Sequence, residues 1–271
     1  MIPAEALSPH GTRRVALGQG ALFLRADGAG PTLLCIPGAY HGAWCYEAWL
    51  DAFAAAGIAS AALEKRGHGT LRGRLDPMTG IDDFAADAAE AAAALGAPPV
   101  LVGHSLGALI AMRAAQRLMP GGVSGLVLVA PSPPGNLPGA AKVPLVPEGA
   151  LRPPPDLATT AERFLGGDTP EWLPEYQRKL SPESPRAMNE RYDLRLPVDP
   201  AHLAGLPVFV LEAGRDDAAR HPPGQDAAIA AFLGGTHALL PDAPHCFMLG
   251  DWAAESAAAV IAWYRAAVAS G

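Results

Sequence analysis

Short apolar runs alternate with helical stretches along almost the whole chain, and this limits the possible folds more than any other feature. "PTLLCIPG", "PPVLVGH", "SGLVLVAP" and "LPVFVLEAG" are continuous apolar runs bounded by Pro or Gly, the pattern of strands buried on both faces. Between and after them, "AWCYEAWLDAFAAAG", "IDDFAADAAEAAAALG", "SLGALIAMRAAQRLM", "GQDAAIAAFLGG" and "DWAAESAAAVIAWYRAAVAS" read as helices, with Gly57 and Gly96 stopping the first two. "RRVALG" and "ALFLRADG" predict an opening antiparallel hairpin. "IASAALEKRGHG" is a strand that runs into a Gly-containing loop, and "THALLPDAP" a strand followed by a turn at "PDAP". The expected architecture is α/β, a mostly parallel eight-stranded sheet flanked by helices.

The rhythm breaks over residues 131–203, which hold more than half of the chain's 28 prolines. Short helical patterns occur there, "LATTAERFLGG" and "PEYQRKL", but no buried strand. A structureless loop of this length is uncommon in a compact domain. We therefore expect residues 1–130 and 204–271 to form the core, and 131–203 an inserted helical cap over the carboxyl ends of the strands. Phe164, Trp172, Tyr176 and Met188 fall in this block and either line an apolar pocket or hold the cap to the core. Its low net charge and high Pro content suggest a medium-sized apolar substrate.

"VLVGHSLGALIAM" contains Gly103-His104-Ser105-Leu106-Gly107, a G-x-S-x-G motif. With so many glycines the pattern alone is weak, and its position carries the weight. It lies between an apolar strand and a helix that starts at once, where a nucleophile elbow belongs. The two glycines remove side chains that would clash with the neighbouring strand and helix. The hydroxyl then stands at a helix N-terminus, where partial positive charge favours developing anionic character. The bland alternative is that Ser105 only caps the helix.

A nucleophilic serine needs a base, and the base an orienting acid. After Ser105 the histidines are His202, His221, His237 and His245. His245 follows a late strand and precedes the last helix, so its imidazole can reach over the sheet edge; it is the expected base. His237 opens a strand at the opposite end from the elbow, His221 precedes Pro-Pro, and His202 closes the Pro-rich block. For the acid, "VFVLEAGRDDAARH" puts Asp216 and Asp217 just past a buried strand. Asp217, three residues after Gly214, is the preferred candidate and Asp216 its neighbour; either could be a solvated turn residue.

Together "GHSLG", "KRGHG", "GRDD" and the "PH" before the last helix resemble the α/β-hydrolase superfamily across nearly the whole chain, and "HGAWCYEAW" is similar to its plant esterase and hydroxynitrile-lyase branch. The general pattern resembles bacterial lysophospholipase-like esterases with small caps. The resemblance implies Ser105 as nucleophile, His245 as base, Asp217 as acid, and the backbone N–H groups of Leu106 and Ala39 as oxyanion donors. Many relatives have His-Gly where this chain has Pro37-Gly38; Pro37 restricts its own φ but cannot hydrogen-bond as histidine would. His41 and Trp44, which start a helix near the pocket, are expected to line it with Trp172 and Tyr176. His104 is expected to pack beside the elbow and His68 to stabilise its loop.

The chemistry implied is hydrolysis of a carboxylic ester, thioester or lactone by an acyl-enzyme. The alternatives are hydroxynitrile-lyase-like proton shuttling by the same Ser/His pair and a ligand-binding role. A dinucleotide site is disfavoured: Glu64 is placed for a ribose, but "PGAYHGAW" is not G-x-G-x-x-G. No cofactor or metal is expected. The net charge of −7 argues against nucleic acid or an anionic membrane as partner, and Lys65-Arg66 through Arg72 and Arg74 read as a solvated loop. Cys35, Cys45 and Cys246 form neither a disulfide framework nor a zinc pattern. No signal-peptide order and no membrane-spanning run are evident, so the expectation is a cytoplasmic monomer or homodimer acting on a small-molecule acyl substrate.

Overall fold

The computed structural model describes residues 4–25 and 28–268. Its strands are β1 (Arg13–Ala16), β2 (Ala21–Arg25), β3 (Leu33–Ile36), β4 (Ser60–Glu64), β5 (Val100–His104), β6 (Gly125–Val129), β7 (Val208–Arg215) and β8 (Thr236–Pro244). They form one sheet in the order β1-β2-β4-β3-β5-β6-β7-β8. β2 runs antiparallel to β1 and β4, and the other pairs are parallel. This is the expected eight-stranded, mostly parallel sheet. Its helices are α1 (Glu47–Ala55), α2 (Ile81–Ala94), α3 (Leu106–Leu118), α4 (Leu157–Leu165), α5 (Leu173–Lys179), α6 (Pro185–Tyr192), α7 (Gln225–Phe232) and α8 (Ala253–Ala267).

Strand side chains alternate between faces, so a strand covered on both sides must be apolar throughout. Cys35, Val102, Val127 and Leu211 pack into the layer of α1 and α8. Leu34, Leu101, Leu126 and Val210 pack into the layer of α2, α3 and α7. On the first face Trp49 of α1 is fully buried, and its indole N–H donates to Ser256 Oγ on α8 at 2.9 Å. That bond satisfies the one polar atom of a large apolar side chain and fixes how the two helices meet.

Two local expectations are corrected. "PDAP" is not a turn, because β8 continues through it to Pro244. Leu240 pairs with Ala213 and Pro244 with Arg215, so residues 241–243 stand opposite Gly214 in a bulge. A Cβ on Gly214 would lie 2.0 Å from the Pro241 carbonyl oxygen. Both prolines are tolerated because β8 is an edge strand. The bulge leaves the chain at His245 directly on the strand end.

The second correction is α6, which the Pro-rich pattern concealed. Ser184 caps it by accepting from the Ala187 N–H at 3.3 Å, and Pro185 occupies its first turn, where a missing N–H costs nothing. The segment between β6 and β7 thus carries three helices, α4 to α6. No helix among the described residues is long and apolar enough to cross a membrane.

Candidate active site

Ser105 stands between β5 and α3 with φ 54° and ψ −119°, backbone that a non-glycine residue adopts only under local constraint. The constraint is visible on both sides. A Cβ on Gly103 would lie 2.3 Å from the Gly107 carbonyl oxygen, and one on Gly107 would lie 2.3 Å from that of Ile36. The motif glycines therefore let α3 press against β5 and β3 while the serine is pushed out of the sheet.

His245 and Asp216 are both almost fully buried, and His245 Nδ1 lies 2.6 Å from Asp216 Oδ2. An ionised carboxylate only accepts, so Nδ1 carries the proton and Nε2 is left as a base. Ser105, His245 and Asp216 line one narrow cavity of about 50 Å³. Burial alone would raise the Asp216 carboxyl; His245 and His221 outweigh it and hold it below its ordinary range. The sequence preference for Asp217 is thereby corrected. Asp217 accepts from Arg220 Nη1 and from the Ala219 N–H, and its own N–H donates to Asp216 at 2.6 Å. Asp216 thus meets His245 just beyond the end of β7, and Asp217 serves the turn that follows.

Ala39 and Leu106 line the same cavity. The Ala39–Tyr40 peptide is held at both ends: its carbonyl accepts from His41 Nδ1 at 2.7 Å and its N–H donates to Glu183 at 3.1 Å. Tyr40 has φ 67°, and its carbonyl accepts from the Ser181 N–H at 2.8 Å. The β6–β7 segment, through Ser181 and Glu183, thus shapes the loop after β3. His41 faces the cavity, but its nitrogens are engaged, Nε2 accepting from the Tyr176 hydroxyl at 2.8 Å. Burial draws its imidazole down to about 3, so it is neutral. Trp44, Trp172 and Tyr176 line a separate cavity of about 410 Å³ and do not face the one at Ser105.

The "KRGHG" loop is not solvated, contrary to expectation. Lys65 and His68 are fully buried, as is Glu183. Lys65 Nζ lies 2.8 Å from Glu183 Oε2 and 2.9 Å from His68 Nε2. His68 Nδ1 donates to the Arg66 carbonyl at 2.9 Å, and Arg66 grips Asp87 on α2 through two nitrogens. Burial would raise the Glu183 carboxyl, but His68 and Lys65 hold it far below the usual range. Glu183→Gln leaves the Lys65 charge buried without a counter-charge and is expected to cost about 3–5 kcal/mol in urea unfolding.

Glu64 accepts from the Ala43 N–H at 3.2 Å in a fully buried site. Burial pushes its carboxyl up to about 8, against the N–H groups of Ala43 and Thr70. Below the ordinary carboxylate value both folded and unfolded chains are protonated there. Between that value and about 8 only the folded chain keeps the proton, so stability falls as pH rises through this window. Calorimetry is expected to show a thermal midpoint several degrees lower at pH 8 than at about pH 5, a slope that Glu64→Gln flattens.

Several residues of the site were not anticipated. Ser132, just after β6, donates its N–H to the Ser105 carbonyl at 3.0 Å. Glu183 lacked any local signal, since its partners are more than 100 residues away. His221 reaches the cavity with Nδ1 3.8 Å from Asp216 Oδ2, and Arg163, Arg191 and Arg220 line it too. His104 packs beside the elbow as expected, its Nε2–H donating to the His245 carbonyl at 3.0 Å.

A strand-to-helix elbow serine beside a buried His–Asp pair, on a mainly parallel eight-stranded sheet, defines a class of hydrolytic enzymes. The alpha/beta hydrolase family model matches residues 33–262, and the chain belongs to that family. Esterase PIR7B of Oryza sativa subsp. japonica is 36% identical over 104 residues, 37% of this chain and 38% of that protein. The chain thus matches well under half the length of this relative. Rv0554 from Mycobacterium tuberculosis superposes with a TM-score of 0.67 at 23% identity, covering 91% of this chain and 94% of that one. The N-acyl homoserine lactonase AidH complexed with N-hexanoyl homoserine gives a TM-score of 0.71 at 18% identity, with 95% and 97% covered.

Proposed function

We propose that this enzyme is a serine hydrolase that cleaves a carboxylic ester, thioester or lactone through an acyl-enzyme on Ser105. His245 Nε2 takes the Ser105 proton as Oγ attacks the acyl carbonyl. The resulting imidazolium, stabilised by Asp216, gives that proton to the departing alkoxide or thiolate as the acyl C–O or C–S bond breaks. Water then repeats the sequence, its proton passing through His245 back to Ser105. The N–H groups of Leu106 and Ala39 stabilise the oxyanion in both halves. Residues 131–203 act as a cap over the site.

The observation that carries this reading is the 2.6 Å Asp216–His245 hydrogen bond on the cavity that also exposes Ser105. The partial match to a rice esterase and the fold shared with a lactonase support the substrate classes. Mixing the enzyme with a p-nitrophenyl ester is expected to release a burst of about one p-nitrophenol per chain before steady state. Lyase chemistry by the same Ser/His pair gives no burst, and neither does a binding role. Absence of both burst and covalent Ser105 labelling by a fluorophosphonate sinks the proposal.

A further inference from the structure

Three arginines meet at the Ser105 cavity: Arg163 on α4, Arg191 on α6 and Arg220 beyond β7. Arg191 is only 3% exposed. Its Nη2 donates to the Arg220 carbonyl at 2.7 Å, while Nη1 is buried without a partner. No carboxylate among the described residues pairs with Arg191 or with Arg163. Arg220 binds Asp217 through Nη1, yet its Nε is buried without a partner, as is Nε of Arg163. Burial draws the Arg191 guanidinium down only to about 10, so it stays charged at neutral pH.

The balance of charge is one-sided. Against the three guanidinium charges stand only the carboxylates of Asp216 and Asp217, so about one positive charge remains beside the elbow of an otherwise acidic protein. Charged side chains are rarely buried unless paired, and buried donors are rarely left empty-handed. Here three separate elements bring guanidinium groups to one cavity, and each guanidinium keeps one buried N–H unfilled. Water would satisfy a donor but not the charge. The cavity is narrow, about 50 Å³, and a planar two-oxygen anion matches the guanidinium fork.

We propose that Arg191, with Arg220 and Arg163, forms a carboxylate subsite, so that the substrate is an ester, thioester or lactone whose acyl part carries a free carboxylate. This rests on the serine-hydrolase reading and replaces the apolar substrate expected from the low net charge of the Pro-rich segment. Positive and negative charges nearly balance in that segment, but two of its arginines, Arg163 and Arg191, face the Ser105 cavity. Arg163 and Arg220 also line an adjoining cavity of about 300 Å³ with Arg152, which offers room for the remainder of the molecule.

The test uses mono-p-nitrophenyl esters of succinic, glutaric and adipic acid beside their methyl-capped diesters, with spontaneous hydrolysis subtracted. At pH 7 the best free acid is expected to exceed its capped partner in kcat/KM by at least about tenfold, and Arg191→Met to bring that ratio towards one. Capped esters turned over as well as free acids overturn the subsite and leave the hydrolase reading intact. Binding is read without turnover in Ser105→Ala, which keeps the subsite testable if the variant at Arg191 does not fold or if no ester is cleaved. There, glutarate or adipate is expected to raise the thermal midpoint, the dimethyl ester to leave it unchanged, and inorganic phosphate to act more weakly. No dicarboxylate-specific shift refutes the subsite; a shift from phosphate equal to or larger than that from dicarboxylates refutes the assignment to carboxylate.

Discussion

Ser105→Ala is expected to lower kcat on p-nitrophenyl esters by about 10⁴- to 10⁶-fold and to abolish the burst. The size follows from the elbow. Ser105 is the one hydroxyl held out of the sheet at the N-terminus of α3 beside a histidine with a free Nε2, and the acyl-enzyme route needs that oxygen. Alanine keeps the backbone occupied and removes one polar atom from a half-exposed position, so the thermal midpoint is expected to stay within a few degrees of wild type. Equal loss of activity and of fold would instead mark Ser105 as structural. Retained burst kinetics in Ser105→Ala would move the nucleophile elsewhere.

The second large effect separates two adjacent aspartates. Asp216→Asn is expected to reduce kcat by about 10³- to 10⁴-fold at neutral pH, because the amide can present its NH₂ to Nδ1 and reverse the imidazole tautomer. Asp217→Asn is expected to stay within about fivefold of wild type on an uncharged ester, since Asp217 touches Arg220 and not His245. Steady-state kinetics of both variants on one neutral substrate decide the matter. The reverse order of effects would restore the acid to Asp217 and contradict the hydrogen bond on which the assignment rests. Linkage gives a further check: a carboxyl held low in the folded state stabilises the enzyme at neutral pH. That contribution is lost as pH falls from the ordinary carboxylate value through the depressed folded one. Asp216→Asn is expected to weaken the acid-side decline in stability.

The elbow was legible because it is local: strand, five motif residues and helix are consecutive, and the spacing itself creates the geometry. His245 was legible for a related reason, since its place between a late strand and the last helix is readable as chain order. The aspartate was legible only to within one residue. Both aspartates lie just past the end of β7, and only the contact of Asp216 with His245, 29 positions along the chain, tells them apart. That contact joins the ends of β7 and β8, which no window around "GRDD" contains. The burial of Lys65 is not legible locally, because its counter-charge sits at Glu183, 118 positions along the chain.

By itself the sequence determined the sheet and its strand count, the serine that stands out of it, and the histidine beside it, because apolar periodicity and glycine placement act over a few residues. The tertiary structure alone decided which carboxylate orients His245, that Glu183 holds the loop after β3, and that three arginines converge on the serine. Each of these depends on side chains brought together from distant elements. In a dry interior the favourable neighbour of a charge is set by the fold that encloses it and not by the residues next to it in the chain.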